Sequence, residues 1–436
     1  MMQVSEIIGS VRRMTDVFYG RLLIGVASFI MVLTIVPLFH GLTVWFVVLE
    51  QHFQWNRTQL SLAFSLARVE GGIVGPLEGL LVDRLGARSM VLIGLLILGA
   101  GFLMFSQVRS LWQFYAAFLV MSLGGSMGGW LPMMTVLNSW FVRKRARSIS
   151  HAMVGYRLGA VILVPLLAWG VSEEQFGWRA VAAGIGVMIL VLAYPFSRLI
   201  RNRPEDFGQM PDGPASAPPL QSTASALPGA EEREFTWRQA VRTRAFWQIS
   251  FGHACCSSIV VTIMVHLGPM LTDRNFSLQT VGLVVSVYAF IGIASTMVGG
   301  YLGDRVPMRL VIFGFSLFQS IAIIVLLLAN GLPMVFLFAV LMGIGEGRGP
   351  LTTAIRGVYF GRRAFASIMG ISMVPMNVLL FTLPLFAGYM FDATGSYGIP
   401  FTIIAAVGFV GATLFLLLGE PKPMASAAGP LEASPA

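Results

Sequence analysis

At 436 residues, with 56% hydrophobic and 11% charged side chains, the chain lies outside the composition range of soluble globular domains. Its formal charge of +9 does not point to a nucleic-acid partner, because the basic residues stand in short clusters between apolar runs, the pattern that encodes membrane topology. An all-α protein embedded in a lipid bilayer remains.

Arg12, Arg13 and Arg21 precede an apolar run that continues to about Leu49. That is too long for the core of a removable signal peptide, and no small-residue cleavage site follows, so it reads as a first span. A helix needs about 20 mainly apolar residues to cross the hydrocarbon with its backbone satisfied internally. This ruler gives six spans near 21–49, 58–82, 89–106, 111–139, 148–171 and 178–199. Six more fall near 246–271, 279–303, 309–329, 333–358, 365–391 and 398–418. The domain layout expected is a six-helix bundle over 1–199, a linker over 200–245, a second bundle over 246–420 and a disordered tail over 421–436. Of the 29 Lys and Arg, 22 fall on the side of the N-terminus, four on the other side, and Arg68, Arg157 and Arg348 inside spans. That asymmetry predicts both termini on the cytoplasmic face of the cell (inner) membrane.

Within the linker, RNRPEDFGQMPDG gives way to PASAPPLQSTASALPGA, a Pro-, Ala- and Ser-rich stretch without apolar periodicity, predicted to be disordered. FTWRQAVRTRAF, ending at Phe246, mixes aromatics with arginines and predicts a short interfacial helix leading into span seven. The two cysteines, Cys255 and Cys256, are adjacent in an apolar run and offer neither a disulfide framework nor metal-ligand spacing. His40, His52, His151, His253 and His266 form no metal spacing either. No cofactor or metal is implied. GGSMG at 124–128 fits a nucleophile-elbow pattern and GIGEGRG at 343–349 a phosphate loop, but neither has strand-turn-helix context. Small residues that let helices approach closely account for both, and the second lets span ten bend, so the chain is not read as an enzyme.

The halves repeat. GLLVDRLGAR at 79–88 returns as GYLGDRVPMR at 300–309, WFVRKRARSI at 140–149 as YFGRRAFASI at 359–368, and VPLLA at 164–168 as LPLFA at 383–387. Twelve spans in two parallel six-helix pseudo-repeats follow, an architecture that places a pathway between the halves and supports alternating access.

On these residues the chain resembles the major facilitator superfamily. The match lies in the loop between spans two and three, G-x-x-x-D-R-x-G-x-R, filled by Gly79, Asp83, Arg84, Gly86 and Arg88. Its echo between spans eight and nine has Gly300, Asp304, Arg305 and Arg309, with Pro307 in the glycine's place. Within that superfamily RNRPEDFGQMPDG, YFGRR and ARVEGGIVGPLEG resemble the bacterial monocarboxylate porter and oxalate/formate antiporter-like group. Two of that group's features have no counterpart: TVWFV in span one holds no acid, and VVSVYAFIGIASTMVGG in span eight no basic residue. The resemblance implies that spans one, four, seven and ten line the cavity while two, five, eight and eleven flank the interface between halves. The duplicated architecture, with three intramembrane arginines against two mid-span glutamates, points to a secondary transporter, expected as a monomer, that moves a small organic anion, a monocarboxylate or short dicarboxylate, by proton symport or exchange for a counter-anion. A drug or amphiphile exporter and a non-transporting receptor are the competing readings.

The loop phrase reads as a cytoplasmic gate latch, Asp83 and Asp304 bonding arginines and helix ends, with topology as a second role for the arginines. Charge near mid-membrane costs about 2.5–3.5 kcal/mol on insertion scales and marks function by default. Arg68 and Glu70 in span two, Arg157 in span five, and Glu346 and Arg348 in span ten qualify, and none recurs in the other half. Arg348, Arg157 and Arg68 are the candidates for gripping a carboxylate, with Tyr288 and Asn377 supplying hydrogen bonds. Glu346 and Glu70 are candidates for proton coupling or for pairing permanently with an arginine. Arg and Glu two residues apart on a helix point about 200° apart, so each glutamate must find its partner elsewhere.

Overall fold

The computed structural model describes residues 18–55, 57–213, 234–276 and 278–421, and among them the chain is helical with no strand. Eleven helices are long and apolar enough to cross a membrane. The remaining long helix, Arg57–Leu85, makes the twelfth span and is the most charged, carrying Arg68, Glu70, Glu78, Asp83 and Arg84. The other spans are Tyr19–Phe53, Ala87–Ser106, Leu111–Trp140, Arg145–Gly170 and Gly177–Arg198 in the first half. The second half has Arg244–Asp273, Leu278–Gly303, Met308–Leu327, Leu332–Phe360, Phe365–Thr394 and Gly398–Leu416.

Three spans are interrupted, each with a local cause. Span one passes through a π-turn at Val36–His40, where Pro37 has no amide to donate, and the Trp45 indole Nε1 donates to the Pro37 carbonyl at 2.8 Å. Span four breaks at Gly129 (φ −108°, ψ −106°), where a Cβ would lie 2.5 Å from the Gly125 carbonyl oxygen and from Thr34 Oγ1. Span ten breaks at the 3₁₀ turn Glu346–Arg348, and Ser295 Oγ donates at 2.5 Å to the Ile344 carbonyl at the break. Gly129 and Arg348 stand 219 positions apart, the offset at which WFVRKRARSI repeats, so both breaks occupy one place in the duplicated unit. That pairing explains the glycine-rich runs GGSMGG and GIGEGRG as bends.

Each half packs mainly within itself, span three against four and six, and span nine against ten and twelve. The halves meet along two seams, span two against eleven and span five against eight. Small residues allow the close approach: a Cβ on Gly79 would lie 2.3 Å from the Ala366 carbonyl oxygen, and one on Gly300 2.1 Å from Ser150 Oγ.

Both ends of the described chain and the linker lie on one face, the terminal face. The Pro-, Ala- and Ser-rich part of the linker and the tail beyond Pro421 lie outside the described residues. The flanks of the linker are bonded to the bundles. Asp212 accepts from the amides of Val142, Arg143 and Lys144 at 3.1, 2.8 and 3.2 Å. Glu234 accepts from those of Arg362 and Arg363 at 3.2 and 2.7 Å. The short helix of the FTWRQA stretch spans Trp237–Ala240 and is closed by a capping box between Thr236 and Gln239.

Candidate functional site

At the terminal face the two copies of the loop phrase do the same thing. Asp83 accepts from the amides of Ala366 and Ser367 at 3.2 and 2.8 Å and from the Ser367 hydroxyl. Asp304 accepts from the amides of Ala146 and Arg147 at 3.0 and 3.3 Å. Each acid therefore caps, across the seam, the first turn of the helix that opens span eleven or span five, where amides have no intrahelical acceptor and the helix dipole favours an anion. Asp304 also lies 3.9 Å from the Arg147 guanidinium. Burial pushes its carboxyl up to about 6, against the lowering effect of those two amides. The arginines of the phrase act elsewhere. Arg88 donates its backbone amide to Asn202 Oδ1 at 3.0 Å, Arg309 donates to the Leu418 carbonyl at 2.6 Å, Arg305 stacks on Tyr301 at 3.5 Å, and Arg84 is exposed. Gly86 adopts φ +80° to end span two and open span three.

The intramembrane charges lie deeper. At 1.5 Å per residue, Arg68, Glu70, Arg157, Glu346, Arg348 and Asn377 sit about 18–25 Å from the terminal-face ends of their helices, one layer near mid-bilayer. Within that layer they separate into three groups.

The first group bridges the halves. Arg157 of span five donates through Nη2 to Glu346 Oε2 at 2.6 Å, and the Tyr288 hydroxyl of span eight donates to Glu346 Oε1 at 3.0 Å. The side chains of Arg157 and Glu346 are 23% and 11% exposed. Among the described residues Arg157 makes this one side-chain hydrogen bond, so most of its five donors stay available on a partly open face.

The second group lines a cavity of about 120 Å³ between spans two, four and eleven, with Arg68, Glu70, Ser122, Ser126 and Asn377 on its wall. Glu78 also lines it, accepts from the Ser126 hydroxyl and is buried. Arg68 lies over the Phe39 ring at 5.7 Å.

The third group is engaged inside the second half. Arg348 is 4% exposed and donates to Gln319 Oε1 at 2.9 Å and to the Cys256 carbonyl at 2.8 Å. Arg356, which sequence placed among the topology charges, is 1% exposed. It donates to Ser372 Oγ at 2.6 Å, to the Thr352 carbonyl, and meets His253 Nδ1 at 3.1 Å. His266 is likewise satisfied, by Tyr397 and the Pro384 carbonyl.

Sequence reasoning missed Glu78, Arg356 with His253, and the two linker acids Asp212 and Glu234. Glu78 and Arg356 lie seven and four residues from their helices' terminal-face ends, so on a linear ruler both resemble interface charges. Their inward direction is set by tertiary packing.

The match to known proteins decides the family. The family model of the Major Facilitator Superfamily matches residues 21–278 and 254–436. The chain belongs to that superfamily. Among curated proteins it is 24% identical over 388 residues to monocarboxylate transporter 11 of Mus musculus, covering 87% of this chain and 82% of that protein. It is 23% identical over 398 residues to the probable L-galactonate transporter of Escherichia coli K12, covering 87% and 84%. Among solved structures, the E. coli fucose:proton symporter FucP superposes with a TM-score of 0.68 at 14% identity over 93% of this chain and 100% of that one. A second FucP structure, described as the outward conformation, gives 0.69 at 13% identity over 92% and 100%. The relatives are transporters, and this superfamily member is a multi-pass membrane transporter of small molecules, not an enzyme.

Proposed function

We propose that this transporter moves a small organic anion, a monocarboxylate or a hydroxylated sugar acid, across the cytoplasmic membrane by alternating access, with both termini cytoplasmic. The observation that carries this reading is the Arg157–Glu346 pair. It joins the two halves at mid-depth, and it leaves guanidinium donors unused on a partly open face. A planar guanidinium with spare donors suits a carboxylate, and a carboxylate arriving there competes with Glu346 for the same group. Arg348 and Arg356 already have their donors engaged within one half, which favours a supporting role for them.

In this mechanism the cytoplasmic face is closed by Asp83 and Asp304, and the substrate enters from the opposite face. Its carboxylate takes Arg157, releasing Glu346 to Tyr288 and loosening the seam between spans five and eight. The seams then part on the cytoplasmic side as the acids leave their helix ends. The cavity of Arg68, Glu70, Glu78, Ser122, Ser126 and Asn377 offers hydrogen-bond partners for substrate hydroxyls, with Glu70 as the group that carries a coupling proton. The names of the curated relatives, one a monocarboxylate transporter and one a probable L-galactonate transporter, support the same substrate class.

The test is uptake into proteoliposomes of labelled lactate, oxalate, gluconate and galactonate, with fucose as an uncharged control. Accumulation of at least one acid and not of fucose is expected. Preferential uptake of fucose, or of a lipophilic cation, would overturn the substrate class. Stimulation by an inward proton gradient indicates symport, and uptake only into anion-loaded vesicles indicates exchange.

A further inference from the structure

A second cavity, about 320 Å³, lies at the terminal face beside the gate, within the size range of small-molecule sites. Its wall brings together three parts of the chain: Arg84 at the end of span two, Trp237 and Arg238 of the short linker helix, and Arg363 just before span eleven. All three arginines are exposed, and among the described residues none has an ion pair or a side-chain hydrogen bond. The Arg238 guanidinium lies 5.2 Å over the Trp237 ring. The acid on the wall, Asp83, is committed to the amides of Ala366 and Ser367 and to the Ser367 hydroxyl. The site is a pocket walled by three arginines and a tryptophan, at the end of the helical bundle.

We propose that this pocket binds a phosphate-bearing anion and that the bound anion holds the terminal face closed. Three arginines lining one cavity suit a phosphate, whose oxygens accept several forked donors at once. The tryptophan suits an amphiphile at the membrane interface, which favours a phospholipid headgroup as the source over a free phosphate. The regulatory consequence follows from where the arginines sit. Arg84 belongs to the first half and Arg363 to the second, and the wall between them is the Asp83 latch. Parting the seam would pull the two apart and dissolve the pocket. A ligand that binds the closed form alone shifts the equilibrium toward it.

The experiment uses the purified full chain in neutral detergent and measures saturable binding of short-chain phosphatidylglycerol, with phosphatidylcholine and inorganic phosphate as separate arms. Wild type is expected to bind phosphatidylglycerol at least tenfold tighter than phosphatidylcholine. The Arg238→Ala/Arg363→Ala double variant should lose at least tenfold, and Arg238→Lys/Arg363→Lys, which keeps the charge without the fork, should fall between that variant and wild type. Displacement by millimolar inorganic phosphate would identify a soluble phosphate as a sufficient ligand, and binding of the lipid alone would identify the headgroup. In nanodiscs, phosphatidylglycerol should narrow the distance distribution between spin labels at Ser89→Cys and Val358→Cys on the terminal face. Equal binding by wild type and both double variants would overturn the site. Binding without any change in that distribution would overturn the regulatory half. Neither result bears on which organic anion is carried.

Discussion

Removing Arg157 should change the balance between the two faces of the transporter more than it changes folding. In Arg157→Ala the Glu346 carboxylate stays buried, 11% exposed, with the Tyr288 hydroxyl as its hydrogen-bond donor. Breaking a buried pair by removing one member costs about 3–5 kcal/mol, because the surviving charge is left uncompensated. The pair spans the halves, so this cost falls on the form in which spans five and eight are closed together. At about 1.4 kcal/mol per tenfold, even the lower figure shifts the equilibrium by about a hundredfold. The Arg157→Ala/Glu346→Gln double variant removes the stranded charge and should recover all but about tenfold of that shift. Pulsed electron resonance between labels at Ser89→Cys and Val358→Cys reads the populations directly, since the two native cysteines are buried. If the single variant keeps the wild-type distribution, or the double variant shifts by the sum of its parts, the ion pair does not hold the seam.

Three further outcomes follow from the same geometry. Gly79→Leu forces side-chain atoms against the Ala366 backbone, with no flexible group to yield, so the labels should report a terminal face held open and uptake should fall by at least tenfold. Asp304 has its carboxyl raised to about 6 in the closed form from an ordinary value of 3.8. The closed form therefore binds more protons, and acidifying the terminal side from pH 8 to pH 5 should increase its population; the trend should be flat in Asp304→Asn, and an opposite slope in wild type would refute the assignment. Glu70→Gln should abolish proton-driven accumulation while leaving exchange between loaded vesicles intact, which a counterflow assay separates.

What could be read in the sequence was whatever repeats or has a linear signature. The span ruler and the duplicated phrase gave the architecture, because apolar length and short-range spacing are local properties. The i, i+2 geometry of Glu346 and Arg348 correctly excluded their pairing with each other. The true partner, Arg157, is 189 positions away in the other half, and no local pattern announces such a contact. Asp83 and Asp304 were legible as acids that bond helix ends at the terminal face; which helix starts they cap, across the seam, was not, and they take those backbone amides in place of the arginines beside them. Backbone donors of this kind leave no trace in side-chain chemistry. The same holds for Asp212 and Glu234, whose partners are amides in a loop already crowded with basic residues.

The proposed role of Arg157, receiving the carboxylate of the transported anion, is tested by comparing proteoliposome uptake of an accepted carboxylate with that of its uncharged amide, in wild type and in Arg157→Lys. Wild type is expected to carry the acid and reject the amide, and the lysine variant, with a point charge in place of the fork, to lose at least tenfold in affinity for the acid. Equal transport of acid and amide, or an unchanged affinity in Arg157→Lys, would contradict that role.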